Sequence, residues 1–500
     1  MENNVLTYKQ FGAVGDGVTD DFAAIKRTHE EANRTGATVY GDEGATYLIR
    51  DVDSSAVIRT SVDWRGAKFI IDDRSLRHDS PLRRVWIFHV DSDTPAKPVE
   101  AAVGLSLKKG QPKLPVTLDA PCMLKIEDEE DRIYSRWGVN ANGGVPRHEV
   151  ILVDKDGTVN PKTPIQYDYR CLTKVTAYAT TDTPITVENG EFLTVVGDPR
   201  DNDPAYTNRY CYFARGIYVT RSNTTLRAVH HDKCGEHETV GVPYEAFYCF
   251  ANCSRSTLRD AKVIGHRAYS FMDINKHTGE QSRNEMGSYE INATYTVDFH
   301  LIGLTQRENP ETGALITNRK LYHGVMGSNF CRDIVMENCY LDRFDSHQGV
   351  YNATIRNSTL GFGILVIGGG TLLIENVTRV ALGAFIHLRM DYNSIFDGDV
   401  IVRNCKAGEG VHCLVEALWL RFYNGLPNHL TRSLTVDGLT VEDKDFALYR
   451  IYKAEESSLT DDVNPLLMPK TVDVRGVNQT PALCGGCPEA LFKDTVVSLG

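Results

Sequence analysis

Short apolar runs rich in β-branched residues each lead into an asparagine along the second half of the chain. The segments IVMENCYL, ATIRNSTL, LLIENVTR and VIVRNCKA align on Asn338, Asn357, Asn376 and Asn404, with a spacing of 19 residues for the first three and a wider last interval. A repeat of about twenty residues with one strand and one polar turn per unit is typical of a solenoid. The pattern therefore predicts stacked coils, with internal asparagines that hydrogen-bond the turns of neighbouring coils.

The N-terminal segment has a second pattern, in which FGAVGDGVTDD precedes a predicted helix from Phe22 to Asn33. Its glycines provide tight turns, and Thr19 or Asp20 can cap the helix. The strand-turn-strand pattern ATVYGDEGATYLIRD follows. Over about the first fifty residues, the chain resembles the N-terminal cap of the pectate-lyase superfamily of right-handed parallel β-helix proteins, which includes polygalacturonases and phage tailspikes.

The resemblance implies an all-β protein, a right-handed parallel β-helix with an N-terminal capping helix and a β-rich insertion. It also implies structural roles for Gly12, Gly15, Asp16, Gly17, Asp20 and Asp21. The repeat is lost in the first half of the chain, so we predict four parts. They are the cap and first coils (1–85), the β-rich insertion (86–198), the main β-helix (199–454) and a C-terminal cap or tail (455–500).

Long interruptions of a regular scaffold are commonly functional. Three such interruptions of the coils are predicted, at residues 232–243, 273–288 and 307–320. We expect one or more of them to border a ligand site.

Composition and charge exclude several classes of function. The formal charge of −12 at pH 7 argues against a nucleic-acid binder. The sequence contains no apolar run of eighteen residues, so no membrane-spanning segment is predicted. The segment MENNVLTYKQ lacks the apolar core of a signal peptide, which favours a cytoplasmic location, or secretion if a leader was removed. Free-looking cysteines also favour the cytoplasm.

The twelve cysteines are irregularly spaced, and we expect no metal and no cofactor. Cys339 and Cys405 directly follow repeat asparagines, which predicts thiols that face inward. Cys484 and Cys487 form a CxxC motif without a second pair or a histidine cluster, so a zinc or redox role is disfavoured.

Polar side chains at equivalent depths in successive coils predict one shared cleft. Asp345 and His347 follow one repeat asparagine, and Arg389 and Asp391 come two coils later. The glycine-rich GFGILVIGGG segment between them is typical of a groove floor. The remaining predicted cleft residues, all assigned to substrate binding, are His266, Tyr269, His323, Asn329 and Tyr244.

We predict a glycoside hydrolase that cleaves an oligo- or polysaccharide. Hydrolysis requires one carboxylic acid and one carboxylate, and Asp345 and Asp391 are the predicted pair, with His347 orienting them. Two coil spacings separate the pair by roughly 10 Å, which favours inversion. Arg389 and Tyr269 would hold sugar hydroxyls or a carboxylate.

Two alternatives stay open. A polysaccharide lyase would use Tyr269 or His347 as the base and Arg389 to neutralise a uronate, and a tailspike-like protein would bind glycans without cleaving them. The resemblance also allows a homotrimer. Polygalacturonases carry Asn-Thr-Asp, Asp-Asp, Gly-His-Gly and Arg-Ile-Lys motifs, and none occurs here at the expected coils, so the resemblance transfers the fold but not the catalytic residues.

Overall fold

The structure is a computed structural model that describes residues 4–133, 136, 144–265, 267–274, 279–306, 326–380, 382–419, 428–453 and 466–500. The described chain winds into successive coils whose strands pair in parallel with those of the next coil. The predicted right-handed parallel β-helix is confirmed.

A large parallel sheet runs the length of the molecule and contains 26 strands among the described residues. Its strands are Val5–Thr7, Asp16–Asp20, Thr38–Tyr40, Thr46–Ile49, Val62–Asp63, Lys68–Asp72, Ile185–Val195, Thr224–Cys234, Ser254–Arg259, Lys262–Val263, Val297–Ile302, Thr305–Gln306, Cys331–Glu337, Tyr340–Asp345, Val350–Arg356, Thr359–Val366, Gly368–Glu375, Thr378–Arg379, Gly383–Leu388, Phe396–Ala407, Val411–Trp419, Ser433–Val441, Ala447–Lys453, Thr471–Val477, Ala482–Gly485 and Val496–Leu499.

A second parallel sheet covers another side of the earlier coils. Its strands, within the described ranges, are Ala56–Ile58, Phe88–Val90, Phe213–Val219, Tyr244–Ala251, Ile291–Thr294 and Met326–Asn329. A short parallel pair, Asn428–His429 with Leu466–Leu467, lies further along the chain.

The core is built from aliphatic side chains that stack at one register position of successive coils. Because parallel strands pair residue by residue, one inward position in each coil produces a continuous apolar row. The row, buried throughout, consists of Val187, Leu226, Leu258, Leu301, Met336, Ile355, Ile374, Val402, Val436 and Val474. Burial of each such side chain contributes about 1.5–3 kcal/mol.

The repeat asparagines lie at exposed turns, not inside the coils as predicted. Asn338, Asn357, Asn376 and Asn404 all adopt left-handed backbone conformations, with φ between 49° and 54°. Asparagine tolerates this conformation better than most residues. The predicted ladder is present at one step, where Asn376 Nδ2 donates to Asn357 Oδ1 at 3.0 Å.

The N-terminal cap agrees with the sequence prediction. The helix spans Phe22–Thr35, and its N-cap residue is Asp21 and not Thr19 or Asp20. The Asp21 carboxylate instead accepts hydrogen bonds from the backbone N–H groups of Val14 and Gly15, at 2.6 and 3.0 Å. It thereby fixes the glycine-rich turn against the helix.

A single α-helix is found in the described residues, and short 3₁₀ helices interrupt the coils. The 3₁₀ helices are Tyr8–Phe11, Pro81–Arg84, Glu100–Ala102, Pro199–Asp201, Met390–Tyr392 and Glu489–Phe492. Within the described ranges, no helix is long and apolar enough to cross a membrane.

A separate antiparallel sheet packs beside the coils within the predicted insertion at 86–198, whereas Phe88–Val90 and Ile185–Val195 of that range pair with coil strands. Its strands are Lys97–Pro98, Cys122–Ile133, Val145–Val153 and Lys174–Ala179. A buried ion pair attaches it to the β-helix, since the Arg332 guanidinium on a coil contacts the Glu149 carboxylate in the sheet. Arg332 also donates to the Pro164 carbonyl oxygen at 2.6 Å.

An antiparallel hairpin replaces the predicted interruption at 273–288. Its strands are Tyr269–Ile274 and Gln281–Met286, and Asn284 Nδ2 holds it by donating to the Tyr210 hydroxyl at 2.8 Å. The predicted loop at 307–320 lies outside the described residues.

The cysteines follow two patterns. Cys339 and Cys405 are buried and free, which confirms their inward orientation. Cys484 and Cys487 form a disulfide near the C-terminal end of the β-helix.

Candidate active site

A cavity of about 990 Å³ lies on the flank of the β-helix. Its floor comes from the large sheet, through residues that include Arg343, Leu365, His387 and Glu416. Its walls come from the hairpin, from two tyrosines and from Arg136 at the edge of the β-rich insertion. The regular coils thus supply the floor, and the irregular segments supply the walls.

Parallel register places the floor residues in a single row. Asp345 pairs with Leu365, Leu365 with His387, and His387 with Glu416. Glu416 in turn pairs with Arg450 on the next coil. Adjacent strands are about 4.8 Å apart, so the row runs along the helix axis in the direction that an extended polymer would follow.

Three arginines and two aspartates alternate along one side of the cavity, where all of them except the buried Asp345 line it. The Arg343 guanidinium contacts Asp345 Oδ2, and Arg389 Nη1 donates to both oxygens of Asp345 at 2.7 and 2.9 Å. Arg389 also binds Asp391 through Nε and Nη2, at 3.1 and 2.9 Å. Arg136 Nε completes the series at 3.1 Å from Asp391 Oδ2. We call these five residues the charge chain, and its formal charge is positive.

Asp345 is fully buried within the charge chain. Burial alone would raise the pKa of the Asp345 carboxyl, but the charges of Arg389 and Arg343 outweigh that effect and hold the pKa well below its usual range. The Tyr289 hydroxyl also donates to Asp345 Oδ2 at 3.0 Å. Asp345 is therefore ionised near neutral pH and has no proton to transfer.

The two predicted catalytic carboxylates bind the same guanidinium. An inverting pair needs open space for a water molecule between the carboxyl groups, and Arg389 occupies the position between Asp345 and Asp391. Burial would raise the pKa of Asp391, but Arg389 lowers it below its ordinary value. The acid and base roles assigned to this pair stay predictions, and the geometry favours a positioning role for Asp345.

His347 is half-buried beside the charge chain and lines the cavity. Burial, followed by the charge of Arg389, lowers its pKa to about 3, so the imidazole is neutral at ordinary pH. Its Nδ1 lies 3.2 Å from Asn329 Oδ1. With the amide oxygen as acceptor, Nδ1 carries the proton and Nε2 retains its lone pair, so Nε2 can accept a hydrogen bond.

Tyr289 lies between the charge chain and the cavity. Its oxygen accepts from Arg343 Nη2 at 3.1 Å while its hydroxyl proton bonds Asp345. Burial and then the Asp345 charge raise the pKa of Tyr289 to about 12. The phenol is therefore a neutral hydrogen-bonding group and not a base at neutral pH.

A histidine–glutamate pair forms the other end of the floor. His387 Nδ1 lies 2.8 Å from Glu416 Oε2, and the Phe362 ring stacks on the imidazole with a centroid distance of 5.8 Å. Phe362 and both members of the pair line the cavity.

The structure brings most of the central predicted residues together. His347, Arg389 and Asp391 line one cavity. Asp345 lies buried beneath the lining and is bound to Arg389, and Asn329 contacts His347. His266 and His323 lie outside the described residues.

Two predicted tyrosines lie elsewhere. Tyr269 is buried on the hairpin, outside the cavity lining, and its hydroxyl donates to Glu236 at 3.4 Å. Tyr244 is a core residue whose hydroxyl donates to Asp73 Oδ2 at 3.0 Å. The predicted substrate-binding roles of these two residues therefore have no support from their positions.

Sequence reasoning missed several site residues. Arg343 precedes Asp345 by two residues on one strand, so the period-two alternation of strands could have identified it. The others come from segments without the repeat or with altered coil length: Arg136, Tyr289 and Glu416.

Comparison with known proteins supports the fold. No protein-family model matches the sequence, and no curated protein does. Among solved structures, the tailspike protein gp49 from Pseudomonas phage LKA1 matches with a TM-score of 0.55 and 13% identity, over 99% of this chain and 83% of the tailspike. At this identity the likeness shows a shared right-handed parallel β-helix fold.

Two further structures extend the comparison. The Pseudomonas phage phi297 tailspike gp61 has a TM-score of 0.49 and 12% identity, over 97% of this chain and 82% of its own. The exopolygalacturonase from Thermotoga maritima has a TM-score of 0.33 and 12% identity, over 90% of this chain and 87% of its own. At these identities the likeness concerns the fold alone.

Proposed function

We propose that the chain is a carbohydrate-active enzyme that cleaves glycosidic bonds in an oligo- or polysaccharide bound along the cavity floor. The cavity of about 990 Å³ is of the size of ligand sites in proteins. Tyr210 and Tyr212 line it together with several charged groups, a combination suited to sugar rings and their polar substituents.

The neutral His347 beside a positively charged chain favours β-elimination at a uronate. The positive charge would stabilise the anion that forms when the proton next to the uronate carboxylate is removed. His347 Nε2 would take that proton from C5, the electron pair would form the C4–C5 double bond, and the bond from C4 to the glycosidic oxygen would break. Solvent water would protonate the departing oxygen.

In this scheme the charge chain would position the substrate carboxylate and stabilise the developing negative charge by its positive electrostatic potential. Asp345 fixes Arg343 and Arg389 near the substrate carboxylate, and Asn329 fixes the tautomer of His347. Tyr289 would donate no proton in this scheme, because its hydroxyl is already bonded to Asp345.

Hydrolysis is the second candidate, and one observation favours it. Glu285 and Glu416 both line the cavity and are carboxylates outside the charge chain. They offer an alternative acid and base to the Asp345 and Asp391 pair.

The test is a screen of plant, host and microbial glycans with the wild-type protein and His347→Ala. Elimination yields an unsaturated sugar that absorbs at about 235 nm. His347→Ala removes the proposed base and should reduce the formation of this product by roughly 10²–10⁴-fold. His300→Ala is the matched control, because His300 is a half-buried histidine paired with Asp298 outside the cavity lining. It should retain full activity.

The other outcomes decide between the alternatives. If the wild type released new reducing ends without the absorbance of an unsaturated sugar, and Glu285→Gln or Glu416→Gln released none, the reaction would be hydrolysis and not elimination. Glycan binding without any product would identify a non-catalytic glycan-binding protein and overturn the proposal.

A further inference from the structure

A cluster of metal-ligating groups lies behind the histidine–glutamate end of the cavity floor. One ligand atom each from His412, Cys413 and Glu416 lies within 4.8 Å of the other two. His412 Nε2 is 3.5 Å from Glu416 Oε1, and among the described residues this buried nitrogen has no hydrogen-bond partner. Nitrogen, sulfur and carboxylate oxygen together are the donor set of zinc sites.

A β-bulge explains how two adjacent strand residues share this site. Neighbouring residues on a regular strand point to opposite faces. Here Gly383 pairs with Val411, whereas the next residue, Ala384, pairs with Cys413, so His412 is the extra residue of the strand. The bulge breaks the regular alternation at His412, and the ligand atoms of His412, Cys413 and Glu416 lie within 4.8 Å of one another. Such irregularities are common near functional sites.

The Cys413 sulfur lies apart from the main core. It packs in a small cluster with Ala384 and Ala447, which occupy the same register position on the two neighbouring coils. Alanine side chains on both sides leave room around the sulfur that bulkier residues would fill. Cys339 and Cys405, in contrast, belong to the main apolar core.

The neighbouring groups fit a bound divalent cation. His387 contacts Glu416 Oε2 and would orient the carboxylate while Oε1 faces His412, as second-shell groups do in metal sites. Arg450 lies in register with Glu416 on the next coil. A thiolate and a carboxylate would balance the charge of a divalent ion, and Arg450 adds one positive charge beside the site.

We propose that His412, Cys413 and Glu416 bind one zinc ion, with His387 positioning Glu416. Tetrahedral zinc holds its ligand atoms about 3.5 Å apart. Side-chain rotations that move the ligand atoms by about 1 Å would bring them to this separation. Binding transfers the Cys413 thiol proton to solvent and leaves a fourth coordination position for water. Three protein ligands with an open position are typical of zinc that acts on a substrate or polarises a water molecule.

The test uses the full-length protein after treatment with a chelator, titrated with Co²⁺ as a spectroscopic probe and with Zn²⁺ by calorimetry. We expect one equivalent to bind and a cobalt–thiolate absorption band to appear. Cys413→Ser should remove the band. Cys405→Ser, a buried free cysteine of the neighbouring strand, should keep it, and so should the double variant Cys484→Ser/Cys487→Ser.

A second pair of variants covers the case in which Cys413→Ser does not fold. His412→Ala changes a half-buried residue and should lose most of the Zn²⁺ affinity with an unchanged circular dichroism spectrum. His387→Ala should weaken the affinity by about 10–100-fold. The proposal would be overturned if the wild type showed no thiolate band, or if the band survived in Cys413→Ser or disappeared in the double variant. Wild-type Zn²⁺ affinity in His412→Ala would also overturn it.

Discussion

The turn flank and the cavity flank of the same coils use polar residues in opposite ways. At the turns, each asparagine solves a local backbone problem, since Asn338, Asn357 and Asn376 adopt left-handed conformations in full contact with solvent. At the cavity, each polar side chain depends on others far away in the sequence. Arg389 and Asp345 are 44 residues apart and Arg136 is further still. Removal of one member should therefore matter little at the turns and much at the cavity.

The largest expected effect follows from removal of Arg389. Arg389→Ala leaves Asp345 and Asp391 as partly compensated charges, and the loss of one partner from a buried ion pair costs about 3–5 kcal/mol. The matched change is Arg356→Ala on the turn flank, where Arg356 and Glu337 form a half-exposed pair at 2.9 Å. We expect at most about 1 kcal/mol there. Urea unfolding of both variants measures the difference in the free energy of unfolding. Equal losses of stability in the two variants would contradict the contrast between the flanks.

A smaller, pH-dependent effect is expected from Asp345→Asn. The folded-state pKa of Asp345 is lowered, so its ionisation stabilises the fold fully above the unfolded-state pKa of about 3.9. This contribution is lost progressively as the pH falls from there through the lower folded-state pKa. The variant should be less stable than the wild type at pH 7, and the difference should shrink on acidification.

Thermal unfolding between pH 7 and pH 3 tests this dependence. Asp437→Asn is the control, because Asp437 forms an exposed pair with Arg475 on the surface. A constant difference between Asp345→Asn and the wild type across this range would contradict the linkage.

The smallest effects are expected at the turns. Asn357 has a φ of 51°, and a β-branched residue in this conformation costs about 1–2 kcal/mol. Asn357→Val should be destabilised by that amount, whereas Asn357→Gly should remain within about 0.5 kcal/mol of the wild type. Denaturant midpoints of the two variants provide the measurement. Equal stability would show that backbone conformation does not explain the repeat asparagines.

The sequence predicted what the repeat controls. Equal spacing of Asn338, Asn357 and Asn376 identified the coils, and equivalent offsets placed Asp345 and Arg389 on one flank, where they are in contact. The repeat could not show the burial of Asp345, which depends on arginines packed from both sides. It also misplaced the asparagines inside the coils, because the left-handed turn is a property of φ that sequence spacing does not reveal.

The remaining site residues depend on irregular structure. Tyr289 and Arg136 come from segments without the repeat, and Tyr269 lies outside the cavity lining because it belongs to the hairpin. The proposed zinc ligands escaped notice because His412 and Cys413 belong on opposite faces of a regular strand. Only the bulge among the described coils brings them together.

The charge chain also bears on how the molecule loses structure. Solenoid coils contact only their neighbours, so such proteins can fray progressively from an end. Here Arg343, Asp345, Arg389 and Asp391 join separate coils, and Arg136 adds the inserted sheet. These links make the middle of the β-helix one cooperative block, and partial unfolding that starts at the C-terminal coils should halt at its border.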